Sequence, residues 1–250
     1  GMWLPEAAVD IETLDILALH GIKFTILAPH QAKRIRKIGQ NHWQDVDGVK
    51  IDPRKPYICH LPTGRKIYIF FYDGPVAQDI AFGGLLRDGK ALARRLKNCF
   101  SQQEKNPQLV HVATDGETFG HHHKFGEMAL AFCLQQLQAE DACELMIYGE
   151  FLERFPPDYE VEIIENSSWS CVHGIERWKA NCGCQSGLHP QWHQKWRQPL
   201  REALDWLRDE ASLIFEKQLA SLIKDPWQAR EEYIEILLER SAENIDKFLA

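Results

Sequence analysis

The chain has 250 residues, of which 44% are hydrophobic and 26% charged, and its formal net charge is −7. This acidic balance argues against a nucleic-acid-binding protein, which needs a basic surface, and no apolar run approaches the ~20 residues that span a bilayer. The seven cysteines stand mostly singly in apolar patterns, so we expect reduced thiols and a cytoplasmic protein.

The first residues predict a helix between two strands. Residues 3–6 (WLPE) have the pattern of a strand exit, and Asp10 is a suitable N-cap for an amphipathic helix over 10–20. Residues 24–28 (FTILA) form an apolar run that is typical of a buried strand. This order predicts a βαβ unit.

The next part of the chain predicts a long loop, a hairpin and a helical region. Residues 31–56 are polar and irregular, with a turn at Asp47-Gly48. A loop of this length often has a functional role. Residues 59–72 predict a hairpin or an edge strand that turns at 62–64, followed by a buried strand over 67–72. A helical region over 76–100 follows, with an interruption at its glycine pair.

The stretch LVHVATDGETFGHHH, residues 109–123, is the most informative part of the chain. It opens as a short apolar strand, with 110–113 as its centre, and turns at Asp115-Gly116-Glu117 ahead of an apolar helical pattern. Asp115 and Glu117 are therefore placed where a buried strand ends. In parallel α/β architectures, that edge of the sheet is where ligands bind.

A change of residue composition near Asn166 predicts a domain boundary. The preceding part, 1–165, is an α/β domain, whereas 166–250 begins with a turn-rich aromatic segment and continues as helices. The remaining predicted elements are strands over 143–148 and 161–164 and helices over 192–224 and 227–249.

Two acids far apart in sequence, Glu6 and Asp115, both follow predicted strands. In a closed parallel barrel all strand exits face one end, so these carboxylates would converge. Paired carboxylates cleave glycosidic bonds, since one protonates the leaving oxygen while the other attacks the anomeric carbon or activates water. Glu117 is expected on the same side as Asp115, where it either repels the Asp115 carboxylate as a like charge or binds a sugar hydroxyl. Aromatic side chains that could stack on sugar rings are Trp3, Trp43, Phe119, Trp169 and Trp178.

Three stretches resemble glycoside hydrolase family 57, the retaining amylase, glucanotransferase and branching-enzyme group. WLPE at 3–6 resembles the family's Trp-Leu-x-Glu nucleophile region at the end of the fourth barrel strand. DGETFG at 115–120 is similar to its Asp-Gly-Glu-x-Phe-Gly motif at the end of the seventh. Ser168-Trp169-Ser170, with His173-Gly174 and Trp178, resembles its last characteristic region. The likeness is greatest to a branch in which WLPE, DGETFGHHH and SSWSC-x-HG occur together.

The resemblance implies a fold and a set of roles. The fold would be the C-terminal part of a (β/α)7 barrel with parallel strands, followed by an α-helical domain. Glu6 would be the nucleophile and Asp115 the acid/base, acting on an α-glucan-like oligo- or polysaccharide without cofactor or catalytic metal. Implied substrate contacts are Trp3, Glu117, Phe119, His121, Trp169, His173 and Trp178.

The chain departs from the family at its beginning. The family's N-terminal His-x-His segment is absent, and strand counting from Glu6 gives only strands five (24–28), six (67–72) and seven (110–113). We therefore expect strands one to four of the family's barrel to have no counterpart in this sequence. An incomplete barrel leaves an open sheet edge, so we expect a fragment with little activity alone.

Three alternatives remain open at this stage. Asp115, Glu117, His121 and His123 have donor types for a divalent cation, which would suit a metal-dependent deacetylase or mannosidase-like hydrolase. Loss of catalysis would leave a carbohydrate-binding remnant. A structural zinc site is the third, with candidate ligands Cys171, His173, Cys182, Cys184 and His189. The sequence leaves the oligomeric state open.

Overall fold

The structure is a computed structural model that describes residues 1–46, 50–140, 143–184 and 189–249. The predicted turn at Asp47-Gly48 lies outside these ranges. The chain forms two compact units, Gly1–Ile175 and Glu176–Ala250. Nowhere in the described ranges does a helix combine the length and apolar character that a bilayer crossing requires. The domain ranges expected from sequence, 1–165 and 166–250, stay a prediction.

The first unit contains a mixed sheet, with six strands in the described residues. In spatial order the strands run β1-β5-β4-β6-β2-β3. β1 pairs with β5 and β4 with β6 in parallel, while the other pairs are antiparallel. The expected parallel pairing therefore holds for only two of the strand pairs. The strands are β1 (Phe24–Leu27), β2 (Ala32–Lys37), β3 (Gln44–Asp45), β4 (Tyr57–His60), β5 (Lys66–Phe71) and β6 (Tyr159–Ile163).

Helices flank this sheet where the apolar periodicity predicts them. The first begins at Ile11 because the Asp10 carboxylate accepts the Thr13 N–H at 2.8 Å, which confirms the predicted N-cap. The predicted region over 76–100 is two helices separated by a short turn, so its predicted interruption is confirmed as well. The helices of this unit are α1 (Ile11–Leu19), α2 (Gly74–Ala81), α3 (Gly89–Lys97), α4 (Gly126–Ala139) and α5 (Tyr148–Arg154).

The hairpin of β4 and β5 forms the centre of the core. Cys59 pairs with Ile67, and Gly64 closes the turn with a φ of 85°. Ile67, Ile69 and the other inward side chains of β5 are fully buried. Each such side chain contributes about 1.5–3 kcal/mol, so the predicted strand is a main source of stability.

The predicted loop over 31–56 is wrong in part, because it contains β2 and β3. The sequence AKRIRK of β2 lacks apolar alternation, but the strand pairs with β6 along its length, and ion pairs join the two strands. Arg34 makes a two-pronged pair with Glu162 at 2.7 Å, and Arg36 pairs with Glu160 at 2.5 Å. The Arg34 guanidinium also holds the pKa of Glu162 below its usual value.

Two predicted strands are extended segments outside the sheet. Within 109–113, His111 O accepts the Asp73 N–H at 3.0 Å just beyond β5, but no continuous ladder follows. Residues 143–148 lead directly into α5. Cys143 packs against an apolar cluster between α3 and α4, which explains the apolar character of this segment without a neighbouring strand.

His111 is buried beside this segment. Its Nε2 lies 3.0 Å from Pro53 O, and since a carbonyl only accepts, Nε2 donates that hydrogen bond. Nδ1, 2.9 Å from Tyr148 Oη, then accepts the hydroxyl proton. Burial lowers the pKa of His111 to about 4 and raises that of Tyr148 to about 12, so both side chains stay neutral near neutral pH.

This burial predicts acid sensitivity. Below pH ~6.5 the unfolded His111 takes up a proton, whereas the folded imidazole stays neutral until about pH 4. Stability therefore falls as the pH drops through this window, by up to about 3 kcal/mol in the free energy of unfolding. Urea titrations from pH 7 to 4 should show this fall for the wild type and a flatter profile for His111→Gln. The exposed His20→Gln is the control, and parallel profiles for wild type and His111→Gln would contradict the assignment.

The second unit has three α-helices in its described residues, which follow a largely irregular stretch before residue 197. The predicted helix over 227–249 is divided at residues 239–241, and Asp225 caps the first part by accepting the Trp227 and Gln228 N–H groups. Many large apolar side chains of this unit are exposed, including Trp206 and Leu238. Its helices are α6 (Arg197–Leu219), α7 (Pro226–Leu238) and α8 (Ala242–Leu249).

Candidate active site

Glu6 lies in a strained turn beside the first strand of the sheet. Met2 forms a parallel bridge with Thr25 of β1, as expected for a strand exit leading to Glu6. Glu6 and Ala7 then have φ values of 59° and 46°, in the left-handed region that residues other than glycine seldom adopt. Backbone strain of this kind costs of order 1–3 kcal/mol per residue and is concentrated at functional sites.

The Glu6 carboxylate is held through one of its oxygens. Oε2 accepts the indole N–H of Trp169 at 3.0 Å and the hydroxyl of Ser170 at 2.5 Å. The Trp169 backbone N–H also donates to Glu6 O at 3.0 Å. Hydrogen bonds to a charged group are worth about 1.5–3 kcal/mol each, so these contacts fix both the backbone and the side chain of Glu6.

Trp169 lies at the carboxyl ends of the parallel strands β1 and β5. Together with Ala113 it packs against a small cluster that includes Ala28, which follows β1, and Tyr72, which follows β5. Its ring meets those of Trp3 and Tyr72 edge-on, with centroid distances of 5.0 and 6.2 Å. An aromatic group of three rings therefore adjoins the Glu6 carboxylate.

Asp115 lies two residues along the chain from this cluster. Ala113 packs against the same cluster as Trp169. Two residues further along the chain, the exposed Asp115 precedes a 3₁₀ turn, Gly116–Thr118. Asp115 O accepts the Thr118 N–H at 3.0 Å, and the Thr114 and Thr118 hydroxyls lie 2.8 Å apart. These bonds fix the backbone that presents the Asp115 carboxylate.

The other residues of the DGETFGHHH motif have different surroundings. Glu117 and His121 are exposed, and the His121 ring contacts that of His122 at 4.9 Å. Phe119 packs against the apolar cluster of α2, α3 and α4, a position suited to anchoring the motif. Its role as a substrate contact stays a prediction.

The predicted cation site on this motif is not assembled. His123 Nε2 donates a hydrogen bond to Ala81 O at 2.8 Å, so this nitrogen is not available to a cation in this structure. In the part of the chain that the structure describes, Asp115, Glu117, His121 and His123 do not form a group of clustered metal-ligand atoms.

The remaining predicted side chains lie elsewhere. His173 follows the Trp169 segment and places Nδ1 4.0 Å from Cys171 Sγ. Trp178 belongs to the second unit, where it lines a groove with Trp196. Trp43 lies beneath the Arg34 and Arg36 guanidinium groups next to β3, at the sheet edge remote from β1.

Sequence reasoning missed three residues of this site. Ser170, which donates to Glu6, gave no periodic signal, although it adjoins the predicted Trp169. Tyr72 ends the predicted strand over 67–72, so the strand-exit argument applied to Glu6 could have found it. His30, whose Nε2 lies 2.9 Å from Ser168 O, likewise follows the exit of β1.

The fold is of the α/β class with a mixed sheet, and the Glu6 carboxylate contacts Trp169 beside the carboxyl ends of the parallel strands β1 and β5. The model of Glycosyl hydrolase family 57 matches residues 1–164, and the chain belongs to this family. A second family model, Domain of unknown function (DUF3536), matches residues 192–250. No curated protein sequence matches the chain.

Two solved structures share the fold. An exo-type maltose-forming amylase from Pyrococcus sp. ST04 has a TM-score of 0.68 and 18% identity, over 98% of this chain and 44% of that one. A 4-alpha-glucanotransferase from Thermococcus litoralis has a TM-score of 0.52 and 19% identity, over 89% of this chain and 30% of that one. The chain thus spans less than half the length of either protein.

Proposed function

We propose that this chain carries the catalytic carboxylates of a retaining glycoside hydrolase or transglycosidase that acts on α-glucan-like polysaccharides. The observation that carries the proposal is the Glu6 carboxylate, held by Trp169 and Ser170 on a strained turn at the carboxyl ends of β1 and β5. Family membership and the α-glucan-related names of the two structural neighbours support the same substrate class.

The proposal extends to the fold. β1, β5 and the extended segment 110–113 take the places of strands five, six and seven of a seven-stranded (β/α) barrel, and the second unit is the helical domain that follows. The parallel pairing of β1 with β5 supports this assignment. The hydrogen bond from Asp73 to His111 also supports it, because it places the third segment beside the end of β5.

The proposed reaction is a double displacement. A Glu6 carboxylate oxygen attacks the anomeric carbon as Asp115 gives its proton to the glycosidic oxygen, which leaves as the alcohol. Asp115 then removes a proton from water or an acceptor sugar, whose oxygen displaces Glu6. Retention of configuration requires carboxyl groups about 5–5.5 Å apart. The hydrogen bonds to Oε2 orient the carboxylate before each displacement.

The aromatic group suits the substrate. The rings of Trp3, Trp169 and Tyr72 present apolar faces and edges next to Glu6. Sugar rings bury their C–H faces on such surfaces, so we assign these three side chains to the sugar bound beside the nucleophile. Glu117 and His121, both exposed near Asp115, are the proposed hydroxyl contacts.

Covalent trapping tests this proposal directly. The protein that contains this sequence is incubated with 5-fluoro-α-glucosyl fluoride, and its peptic peptides are analysed by mass spectrometry. We expect one fluoroglucosyl group on the peptide that contains Glu6. The ring fluorine slows both displacements, but the fluoride leaving group keeps the first one fast, so the covalent intermediate accumulates. Glu6→Gln should abolish the label, whereas Glu12→Gln, an exposed residue of α1, should keep it.

Two results would contradict the proposal. A label on another carboxylate would move the nucleophile away from Glu6. Binding of maltooligosaccharides without label or turnover under any condition would favour a carbohydrate-binding protein that has lost catalysis.

A further inference from the structure

A set of three cysteines and one histidine lies in a single stretch of the chain, residues 171–184. The ligand-type atoms of Cys171, His173, Cys182 and Cys184 all lie within 4.8 Å of one another. None of the cysteines is in a disulfide. This stretch contains little regular structure apart from the 3₁₀ turn Glu176–Trp178.

The distances suit a tetrahedral ion. Zinc–sulfur bonds of about 2.3 Å and zinc–nitrogen bonds of about 2.0 Å place the ligand atoms of such a site about 3.5–3.8 Å apart. Cys171 Sγ and His173 Nδ1 are already 4.0 Å apart. The remaining contraction is of the size that side-chain rotation supplies.

The backbone on the Cys171 side is fixed by its own hydrogen bonds. The Gly174 N–H donates to Cys171 O at 3.0 Å, and Gly174 O accepts the Ser168 hydroxyl at 2.7 Å. Gly174 has a φ of 79°. This turn carries the Cys-x-His pair and keeps Cys171 buried, with 3% of its surface exposed.

The backbone of the Cys-x-Cys pair is fixed in the same manner. Gly183, between the two cysteines, has a φ of 83°, which glycine adopts without strain. Gln194 Oε1 accepts the Gly183 N–H at 3.1 Å and lies 3.5 Å from Cys182 Sγ. Cys182 and Cys184 are both partly buried. Gln194 therefore fixes the backbone between the two cysteines by accepting the Gly183 N–H.

We propose that Cys171, His173, Cys182 and Cys184 form a closed structural Cys3His zinc site. Thiolate sulfur and imidazole nitrogen are the ligands that zinc prefers, and four protein ligands leave no position for a reacting water. The spacing differs from paired Cys-x2-Cys knuckles because each pair has only one intervening residue. The glycine turns after His173 and between Cys182 and Cys184 provide the bends that this spacing requires.

His189, the fifth candidate ligand from the sequence, is not part of the site. Its ring stacks on that of Trp192, with the centroids 4.0 Å apart and an interplanar angle of 20°. It lies outside the group of clustered ligand atoms. His189 therefore provides a matched control for His173, since both are histidines of the same part of the chain.

The site has a consequence for Glu6. Cys171 directly follows Trp169 and Ser170, the two residues that hold the Glu6 carboxylate. Because zinc binding fixes its ligands only in the folded state, its binding free energy stabilises the local fold. An ion at Cys171 would thus hold the neighbouring hydrogen-bond donors in place.

Metal analysis tests the proposal. The protein, expressed without a polyhistidine tag in zinc-supplemented medium and dialysed, should contain about one zinc per chain. His173→Ala and Cys182→Ser should lose bound zinc, whereas His189→Ala and Cys99→Ser should retain it. Reconstitution of the metal-free wild type with Co²⁺ alone should give the intense visible bands of a tetrahedral ion with a thiolate charge-transfer band. This measurement on the wild type does not depend on the folding of any variant.

Other results would overturn the proposal. One is a wild-type protein that contains no zinc and gives the pale spectrum of octahedral Co²⁺. Another is a disulfide among Cys171, Cys182 and Cys184 in protein purified under reducing conditions. The third is equal loss of zinc in His173→Ala and His189→Ala. Alkylation adds a further criterion. Bound zinc should protect the same three thiols from iodoacetamide while leaving the reactivity of Cys99 unchanged.

Discussion

Replacing Glu6 by Gln is expected to lower kcat on maltooligosaccharides by at least about 1,000-fold, equivalent to about 4 kcal/mol of activation free energy. A neutral amide cannot form the glycosyl ester, so the first displacement fails. The amide oxygen can still accept hydrogen bonds from Trp169 and Ser170, so the turn should keep its structure. Initial rates of reducing-end release or disproportionation measure the effect in the protein that contains this sequence.

Chemical rescue separates a missing nucleophile from a damaged fold. With an activated α-glucosyl donor, azide should restore turnover of Glu6→Ala, whose shortened side chain leaves room for it, and should give the inverted glycosyl azide. The matched variant Glu12→Gln, at an exposed position of α1, should keep the wild-type kcat. A Glu6→Gln protein within about tenfold of wild-type kcat would remove Glu6 from the reaction.

Replacing Gly174 by Ala is expected to lower the free energy of unfolding of the first unit by about 3 kcal/mol or more. Gly174 has a φ of 79°, and a Cβ there would lie 2.1 Å from Asn166 O. Since that neighbour is backbone, relief requires movement of the chain next to Trp169. Urea unfolding followed by intrinsic fluorescence measures the change.

Gly149→Ala is the control for this substitution. Gly149 lies in α5, and a Cβ added there meets nothing within 4 Å. Alanine should therefore stabilise the helix by about 0.5–1 kcal/mol. Equal effects of the two substitutions, in sign and size, would refute the role assigned to the Gly174 turn.

Local patterns in the sequence predicted the elements that depend on local physics. The N-cap at Asp10 and the interruption of the helical region near Gly83 follow from residue types within one turn of each element. The hairpin of β4 and β5 follows from alternation and a glycine turn. Each of these elements is specified within a few residues, which is why inspection of the chain could find them.

The elements that depend on distant partners were not predictable in this way. β2 is polar, and its ion pairs involve Glu160 and Glu162, more than 120 residues further along the chain. Conversely, 109–113 and 143–148 have strand-like composition, but their apolar side chains pack on helices or beside the end of β5. Composition indicates burial, whereas the partner decides the secondary structure.

The candidate site likewise combines residues that the sequence could indicate with contacts that only the fold creates. The motifs identified Glu6, Asp115 and Trp169, because residue type and order along the chain distinguish them. Ser170 as a donor to Glu6 and Tyr72 as a ring beside Trp169 arise only from folding. The strand exit marks Tyr72 and the motif includes Ser170, but neither pattern shows which group the side chain contacts.

The hydrogen bond between the Trp169 indole and Glu6 gives the protein a built-in optical probe. Indole emission depends on the charge and polarity around its N–H group, and here that group faces the proposed nucleophile at 3.0 Å. Esterification of Glu6 would replace a carboxylate by a neutral acyl oxygen and so alter the emission of this one ring. The difference spectrum against a Trp169→Phe protein would then follow each glycosylation event in real time, without any added dye.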